Sequence, residues 1–250
     1  MVRSISVHTA ERRKQKVKET RECNYIEVPR AWYSLPSVLL SNVTSLANKV
    51  DELTVTVREV SADIVAITEA WQIVPEVCSI ENYELFHHLR TGRRGGGVAL
   101  FCRGELCPSL LSVDVPVGVE ALWVRVTPPS HPRNTASIIV CVVYHPPRAA
   151  TAQLLTDHLI STADELRVRY QAAKLIICGD FNRLDISDIL HQLNLTQVVG
   201  FPTHEQATLD LIMTDLNQQY QPPQPLPPPK KKSLLVIIMD PQHSVKVSSS

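Results

Sequence analysis

The apolar and polar positions of this chain change period along its length. Over residues 45–60, Leu46, Val50, Leu53 and Val57 recur at spacings of four, three and four, which predicts an amphipathic helix. Residues 153–167 repeat that pattern with Leu155, Leu159, Thr162 and Leu166, and predict a second helix. Between and after these stretches the apolar residues come in short runs rich in Val and Ile. Residues 37–41, 63–68, 97–102, 120–126, 138–144, 174–179, 208–214 and 234–239 are therefore predicted strands. Several runs are continuously apolar instead of alternating, so both faces of those strands have to be buried. Helices can cover one face of a sheet, and a second sheet packed against it covers the other. The pattern predicts a layered α/β fold, and no repeat at periods of 20–50 residues points to a solenoid.

Polar residues gather where the apolar strands end. Val38-Leu39-Leu40-Ser41 runs into Asn42, and Asp63-Ile64-Val65-Ala66-Ile67-Thr68 into Glu69. Ile138-Ile139-Val140-Cys141-Val142-Val143 runs into Tyr144, followed by His145-Pro146-Pro147. Leu175-Ile176-Ile177-Cys178 runs into Gly179-Asp180-Phe181-Asn182. In a layered core such strand ends share one rim, which brings Asn42, Glu69, Tyr144, Asp180 and Asn182 to one mouth. A polar residue caps any strand end, so one of these alone carries no weight. Five together form a set of hard oxygen donors that suits Mg²⁺, an ion that keeps several waters and takes one or two carboxylates plus substrate phosphate. Gly95-Gly96-Gly97 precedes a strand, not a helix, and reads as a tight turn instead of a phosphate loop.

These stretches carry a resemblance. Residues 39–53, 63–71, 93–101, 142–147, 179–185 and 208–214, in that order, are similar to the endonuclease/exonuclease/phosphatase superfamily, the group of deoxyribonuclease I and the apurinic endonucleases. They resemble most the endonuclease domain of metazoan non-LTR retrotransposon polyproteins. The resemblance implies a four-layer α-β-β-α sandwich of two packed mixed sheets flanked by helices, over residues 31–220. It implies phosphodiester hydrolysis with Mg²⁺, or Mn²⁺ in its place, and DNA as the partner. Residue by residue, Glu69 resembles the principal metal ligand, and Asn42 the asparagine that helps hold the metal site or phosphate. Tyr144 resembles the tyrosine that bonds the phosphate, Asp180 the aspartate that orients or deprotonates the attacking water, and Asn182 the asparagine at the scissile phosphate. Asp210, in Thr208-Leu209-Asp210-Leu211-Ile212, resembles the aspartate that orients a catalytic histidine.

That histidine is missing from its expected place. In the family the last strand opens with Ser-Asp-His after a proline-rich approach and a basic residue. Here Leu226-Pro227-Pro228 is followed by Pro229-Lys230-Lys231-Lys232-Ser233-Leu234-Leu235; counted without a gap, Lys232, Ser233 and Leu234 occupy the three places, and with a gap Ser233 alone remains. His243 lies beyond the strand, while His145 and His204 read as ordinary surface histidines near the rim. A positioned acid/base contributes about 10²–10⁴-fold, and the expectation is an impaired nuclease with a degenerate catalytic site. The alternative is a decayed element remnant that folds, does not turn over, and binds nucleic acid weakly or not at all.

Charge and composition alter the picture only at the ends. Lys+Arg and Asp+Glu are equal at 25 each, but the balance averages unlike segments. Between Arg3 and Arg21, Arg3, Arg12, Arg13, Lys14, Lys16, Lys18 and Arg21 stand against Glu11 and Glu19, and residues 1–30 read as a basic, disordered arm that is either solvated or touches nucleic acid. Residues 221–232 form a Pro/Lys-rich segment, read as polyproline II, and residues 233–250 a divergent last strand and tail. No apolar run approaches the ~20 residues of a membrane span, and no apolar stretch follows the first charges as in a signal peptide. The chain is expected to be intracellular, nuclear or cytoplasmic, and not secreted. The six cysteines contain no CxxC pair and read as buried free thiols.

Overall fold

In the computed structural model the described residues are 35–74, 76–90, 95–129, 134–147, 150–226 and 235–242. The arm at 1–30, His243 and the residues at 227–234 lie outside them. Two six-stranded sheets pack face to face. The first holds β1 (Val38–Asn42), β2 (Ile64–Thr68), β3 (Tyr83–His88), β4 (Val98–Arg103), β11 (Gln224–Leu226) and β12 (Leu235–Met239), in the order β11-β12-β1-β2-β4-β3. The second holds β5 (Ser109–Leu110), β6 (Ala121–Val126), β7 (Ser137–Tyr144), β8 (Ala173–Asp180), β9 (Thr196–Gln197) and β10 (Asp210–Thr214), in the order β5-β6-β7-β8-β10-β9. Each sheet is mixed: β1 and β2 run parallel in one, β7 and β8 in the other, and the remaining pairs are antiparallel.

The continuous apolar strands explain the layering. Along β2, Ile64 and Ala66 face the second sheet, while Val65 and Ile67 face the helix side. Along β7, Ile138, Val140 and Val142 face the first sheet, while Ile139, Cys141 and Val143 meet the other helices. With a side-chain period of two, a strand buried on both faces has to be apolar at every position. Helix α1 (Val50–Val60) covers the first sheet with Leu53 and Val57. Helices α2 (Ala152–Arg169) and α3 (Ser187–Leu193) cover the second with Leu155, Leu159, Leu166, Ile189 and Leu193. The fold is the expected α-β-β-α sandwich.

Three details depart from the sequence reading. The first predicted helix is broken: Leu46–Asn48 is a 3-10 turn, and α1 starts only at Val50. The backbone there is committed elsewhere, since the Ser45 and Leu46 amides donate to the Glu69 and Ala70 carbonyls at 2.8 and 3.1 Å. In the segment read as polyproline II, Gln224–Leu226 instead pairs antiparallel with β12, and Pro225 is tolerated because the strand is an edge. Cys78, Cys102, Cys141 and Cys178 are buried and free as expected. Cys107 is not: it is half-buried, sits in a left-handed conformation at φ +45° after the Gly104–Leu106 3-10 turn, and is disulfide-bonded. Among the described residues, no helix is long and apolar enough to cross a membrane.

One buried polar pair gives a pH test. His158 on α2 accepts the Trp123 indole N–H at 3.2 Å inside the second core, and burial pushes its imidazole below the usual range. The unfolded state then binds more protons below about pH 6.5, so this contribution to stability is present above that pH and lost as pH falls. A His158→Leu variant is expected to lose less stability than the parent between pH 7 and pH 5, measured by urea unfolding.

Candidate functional site

The layering sets four strand ends side by side. Parallel pairing aligns Asn42 with Thr68, one residue before Glu69, and aligns Tyr144 with Asp180. Antiparallel pairing sets Asp210 opposite Asp180. The two sheets then bring these ends together across the sandwich. The Asn42 amide nitrogen donates to Glu69 Oε1 at 3.4 Å and to Asp180 Oδ2 at 3.2 Å, which links the first sheet to the second. The Tyr144 hydroxyl donates to Glu69 Oε1 at 3.2 Å, and the Trp71 indole to Oε2 at 3.4 Å. The Asn182 backbone N–H donates to Asp180 Oδ1 at 3.0 Å. The Asn182 amide donates to the His145 carbonyl at 2.8 Å, and the His145 amide to the Asp180 carbonyl at 2.8 Å. Phe181, fully buried between Asp180 and Asn182, holds those two at the rim while its own ring lies in the core.

Strained backbone concentrates here. Glu69 and Asn182 sit at φ +52° and +50°, and Trp71 at φ +59°, in a region that residues with a Cβ enter at a cost. Loop hydrogen bonds hold them: the Ala70 and Trp71 amides donate to the Gly97 and Gly96 carbonyls at 3.1 and 2.8 Å. The glycine run is the tight turn read from the sequence, with φ of +91°, +74° and +80° at Gly95, Gly96 and Gly97. Buried Glu120 anchors it by accepting the Gly97 N–H, and pairs with Arg90 at 2.5 Å. The Arg90 guanidinium lies 5.6 Å from the Tyr144 ring centroid.

Comparison with known proteins then places the chain. Residues 37–229 match the Endonuclease/Exonuclease/phosphatase family. The chain belongs to that family. No curated protein matches it in sequence. Among solved structures it is similar to an AP endonuclease from Leishmania major, at 12% identity and a TM-score of 0.60, over 84% of this chain and 88% of that one. It is also similar to the endonuclease domain of TRAS1, a telomere-specific non-LTR retrotransposon, at 13% identity and a TM-score of 0.58, over 84% of this chain and 100% of that one. A third likeness is the 3′ phosphatase NExo from Neisseria bound to a product DNA hairpin, at 12% identity and a TM-score of 0.60, over 83% of this chain and 100% of that one. At these identities the likeness is one of fold.

The electrostatics of this family domain follow from burial. Desolvation, then the neighbouring Asp210 carboxylate, push Asp180 up to about 7, against the opposing N–H of Asn182. Desolvation pushes Asp210 up to about 6, with Glu69 adding to the rise and the Thr203 hydroxyl opposing it. Burial and the carboxylates of Glu69 and Asp180 raise the Tyr144 phenol, so it stays a donor at neutral pH. The buried side-chain atoms without a hydrogen-bond partner include Asn42 Oδ1 and Asp210 Oδ1. The donors around Glu69 fix its carboxylate, and the orphaned Asn42 oxygen beside it offers a second hard ligand. Among the described residues no group of three or more His, Cys, Asp or Glu forms a closed metal cage. An open site of one carboxylate and one carboxamide oxygen suits Mg²⁺, which completes its shell with water and phosphate.

Two site features were not legible in the sequence. The Thr203 hydroxyl accepts the amides of Leu209 at 2.9 Å and Asp210 at 3.0 Å, which sets the approach to β10. The Glu120–Arg90 pair joins the two sheets at the mouth. Neither has a local signal, because their partners lie 6–30 residues away. His145 corrects the surface reading: it is only 5% exposed, and neither ring nitrogen has a partner. Burial pushes its imidazole below the usual range. No described histidine hydrogen-bonds Asp210. His204 is exposed, as expected.

Proposed function

We propose that this chain is a divalent-metal phosphodiesterase domain of retrotransposon origin that engages DNA and is crippled in turnover. One observation supports the reading: Asn42, Glu69, Tyr144 and Asp180 are assembled at one mouth, and the sequence that leads into the neighbouring last strand does not contain Ser-Asp-His. Leu235, the first residue of β12, pairs with Asn42. The sequence entering that strand is Lys232-Ser233-Leu234. Glu69 and Asn42 would hold Mg²⁺ or Mn²⁺, and the ion would offset charge on the phosphate oxygens. Tyr144 would donate its phenolic proton to a phosphate oxygen, and the Asn182 amide would bind another without reorganising. Asp180 would orient the attacking water and accept its proton. Asp210 would have no imidazole to hold, and the leaving and developing charges would lack a proton source at that edge.

The DNA-bound Neisseria enzyme and the TRAS1 domain support nucleic acid as the ligand, since both share this fold. Nicking of supercoiled plasmid in Mg²⁺ is the test. The parent chain is expected to nick at background, while Lys232→Ser, Ser233→Asp and Leu234→His together raise the rate by about 10²–10⁴-fold. Parent turnover that is abolished by Glu69→Ala and by Asp180→Ala would overturn the crippled reading. The non-catalytic alternative predicts that the triple replacement restores nothing.

A further inference from the structure

A cavity of about 470 Å³ lies on the helix side of the mouth, between the end of β7, the start of α2 and the loop that follows β8. Its volume falls in the range of about 300–1,000 Å³ typical of small-ligand pockets. His145, Ala152, Asn182 and Arg183 line it, together with apolar Leu184 and Leu209. We propose that this cavity is an anion subsite that takes a backbone phosphate of the bound strand, next to the phosphate held at the Glu69 mouth. The inference rests on the nucleic-acid reading of the site and adds to it a second phosphate contact and the groups that make it.

His145 is the group that calls for a ligand. The β7–β8 ladder continues one residue beyond Tyr144, because the His145 amide donates to the Asp180 carbonyl at 2.8 Å. A side-chain period of two therefore turns Tyr144 between the sheets and His145 to the helix side, as it turns Val143. The imidazole is only 5% exposed, borders the cavity, and has no partner on either ring nitrogen. Buried polar side chains almost always have a partner, and an orphan of this kind is completed by what occupies the cavity beside it.

The surrounding groups set the sign of the charge. Helix α2 is 18 residues long and brings its N-terminus, at Ala152, to the cavity. Thr151 provides no side-chain cap, and no acidic residue stands in the first turn, so the chain's own side chains leave the positive helix end uncompensated there. Arg183, exposed at the cavity, adds a full positive charge. Asp185 also lines the cavity, but its Oδ1 already accepts the Ser187 N–H and hydroxyl at 3.0 and 2.7 Å. Burial keeps the imidazole of the empty site neutral, and an anion beside it favours the charged ring, whose two N–H groups both donate. Asn182 joins the cavity to the mouth: its side-chain amide donates to the His145 carbonyl at 2.8 Å and its N–H to Asp180 Oδ1 at 3.0 Å. The two places share that wall, as neighbouring phosphates of one strand require.

NMR titrations test this. Without metal, inorganic phosphate is expected to shift the Ala152, Gln153 and Leu154 amides and the His145 ring protons of the parent. His145→Leu is expected to weaken that binding at least about ten-fold, the lower end for a hydrogen bond to a charged group. Arg183→Ala is expected to weaken it about two- to five-fold, as for an exposed ion pair. In Mg²⁺, the thymidine dinucleotide TpT with an added phosphate at its 5′ or its 3′ end is expected, in one of those two forms, to bind at least about ten-fold more tightly than TpT. His145→Leu is expected to erase that gain. Leucine leaves no orphaned polar atom, so this variant is expected to keep the parent's unfolding midpoint or exceed it; if it does not fold, Arg183→Ala, a surface change, carries the test. Phosphate binding with no gain for either phosphorylated dinucleotide identifies a site for free phosphate and overturns the backbone reading. Amides at the start of α2 that no phosphate shifts, or affinities unchanged in the variants, overturn the subsite, and TpT shifts at Glu69 then leave the nucleic-acid reading intact. No shift from any of these ligands overturns both.

Discussion

Gly179→Ala is expected to leave the chain largely unfolded, with a loss of at least about 4 kcal/mol in a denaturant titration. Gly179 pairs with Val143 across the parallel β7–β8 ladder and sits at φ +147°, where a side chain is strained whatever the space. A methyl group there would lie 2.8 Å from both the Val143 amide nitrogen and its carbonyl carbon, and closer still to the carbonyl oxygen. Overpacking a flexible core costs about 1–3 kcal/mol, because side chains can turn aside. Here the obstacle is the backbone of the central strand, and moving it would break the pairing that aligns Tyr144 with Asp180. A loss of that size is a large share of the 5–15 kcal/mol typical of whole domains. Gly200 is the internal control, since a Cβ there meets nothing within 4 Å. Gly200→Ala is expected to be neutral or to stabilise by a few tenths of a kcal/mol. A Gly179→Ala protein that unfolds within 1 kcal/mol of the parent would refute the close-approach account.

Without divalent metal, Asp210→Asn is expected to be more stable than the parent at pH 8 by about 1–3 kcal/mol. Asp210 is pushed up to about 6 and Asp180 up to about 7, both above the unfolded value of 3.8. Between about pH 4 and pH 7 the folded state therefore binds more protons than the unfolded state. The sign follows: each group's contribution is most favourable below its unfolded value and is lost as pH rises through the folded value. Above pH 7 both carboxylates are ionised close together with no cation between them. An amide at position 210 removes one charge, relieves Asp180, and flattens the decline in stability from pH 4 to pH 7. His145 and His158 act in the opposite direction below pH 6.5, so the informative quantity is the difference between variant and parent at each pH. Adding Mg²⁺ is expected to raise the parent's unfolding midpoint more at pH 8 than at pH 5, because a cation beside Glu69 favours the ionised neighbours. A parent whose stability rises from pH 4 to pH 7 as steeply as that of Asp210→Asn would refute the coupling.

Much of the site was legible because its residues terminate apolar strands. Asn42, Glu69, Tyr144 and Asp180 each follow a run that has to be buried, and parallel pairing of β1 with β2 and of β7 with β8 carries their ends to one edge. Asn182 follows from the same logic once Phe181 is recognised as a core side chain. Asp210 was legible only through the family resemblance, because the predicted strand began two residues earlier at 208, and its partner on β8 was not legible at all. Elements with a weaker apolar signal escaped: β3 reads Tyr83-Glu84-Leu85-Phe86-His87-His88 and forms an edge strand that is only half-buried. Helix α3 spans Ser187–Leu193, too short to display a helical period. The break between Leu46–Asn48 and α1 was hidden because Leu46 keeps the helical spacing while its backbone bonds to the Glu69 loop.

The apolar period and the strand-end residues by themselves determined two buried sheets, the covering helices, and a set of oxygen donors at one rim. They did so because burial on two faces is a local demand on composition. Tertiary structure alone decided the rest. Asn42 reaches Asp180 across the sandwich, Glu120 binds a turn and an arginine from the opposite sheet, and His145 is enclosed instead of solvated. Each of these depends on how far apart two surfaces come to rest once packed. The sequence states which residues must leave water; only the packed fold states which of the remaining polar groups then meet.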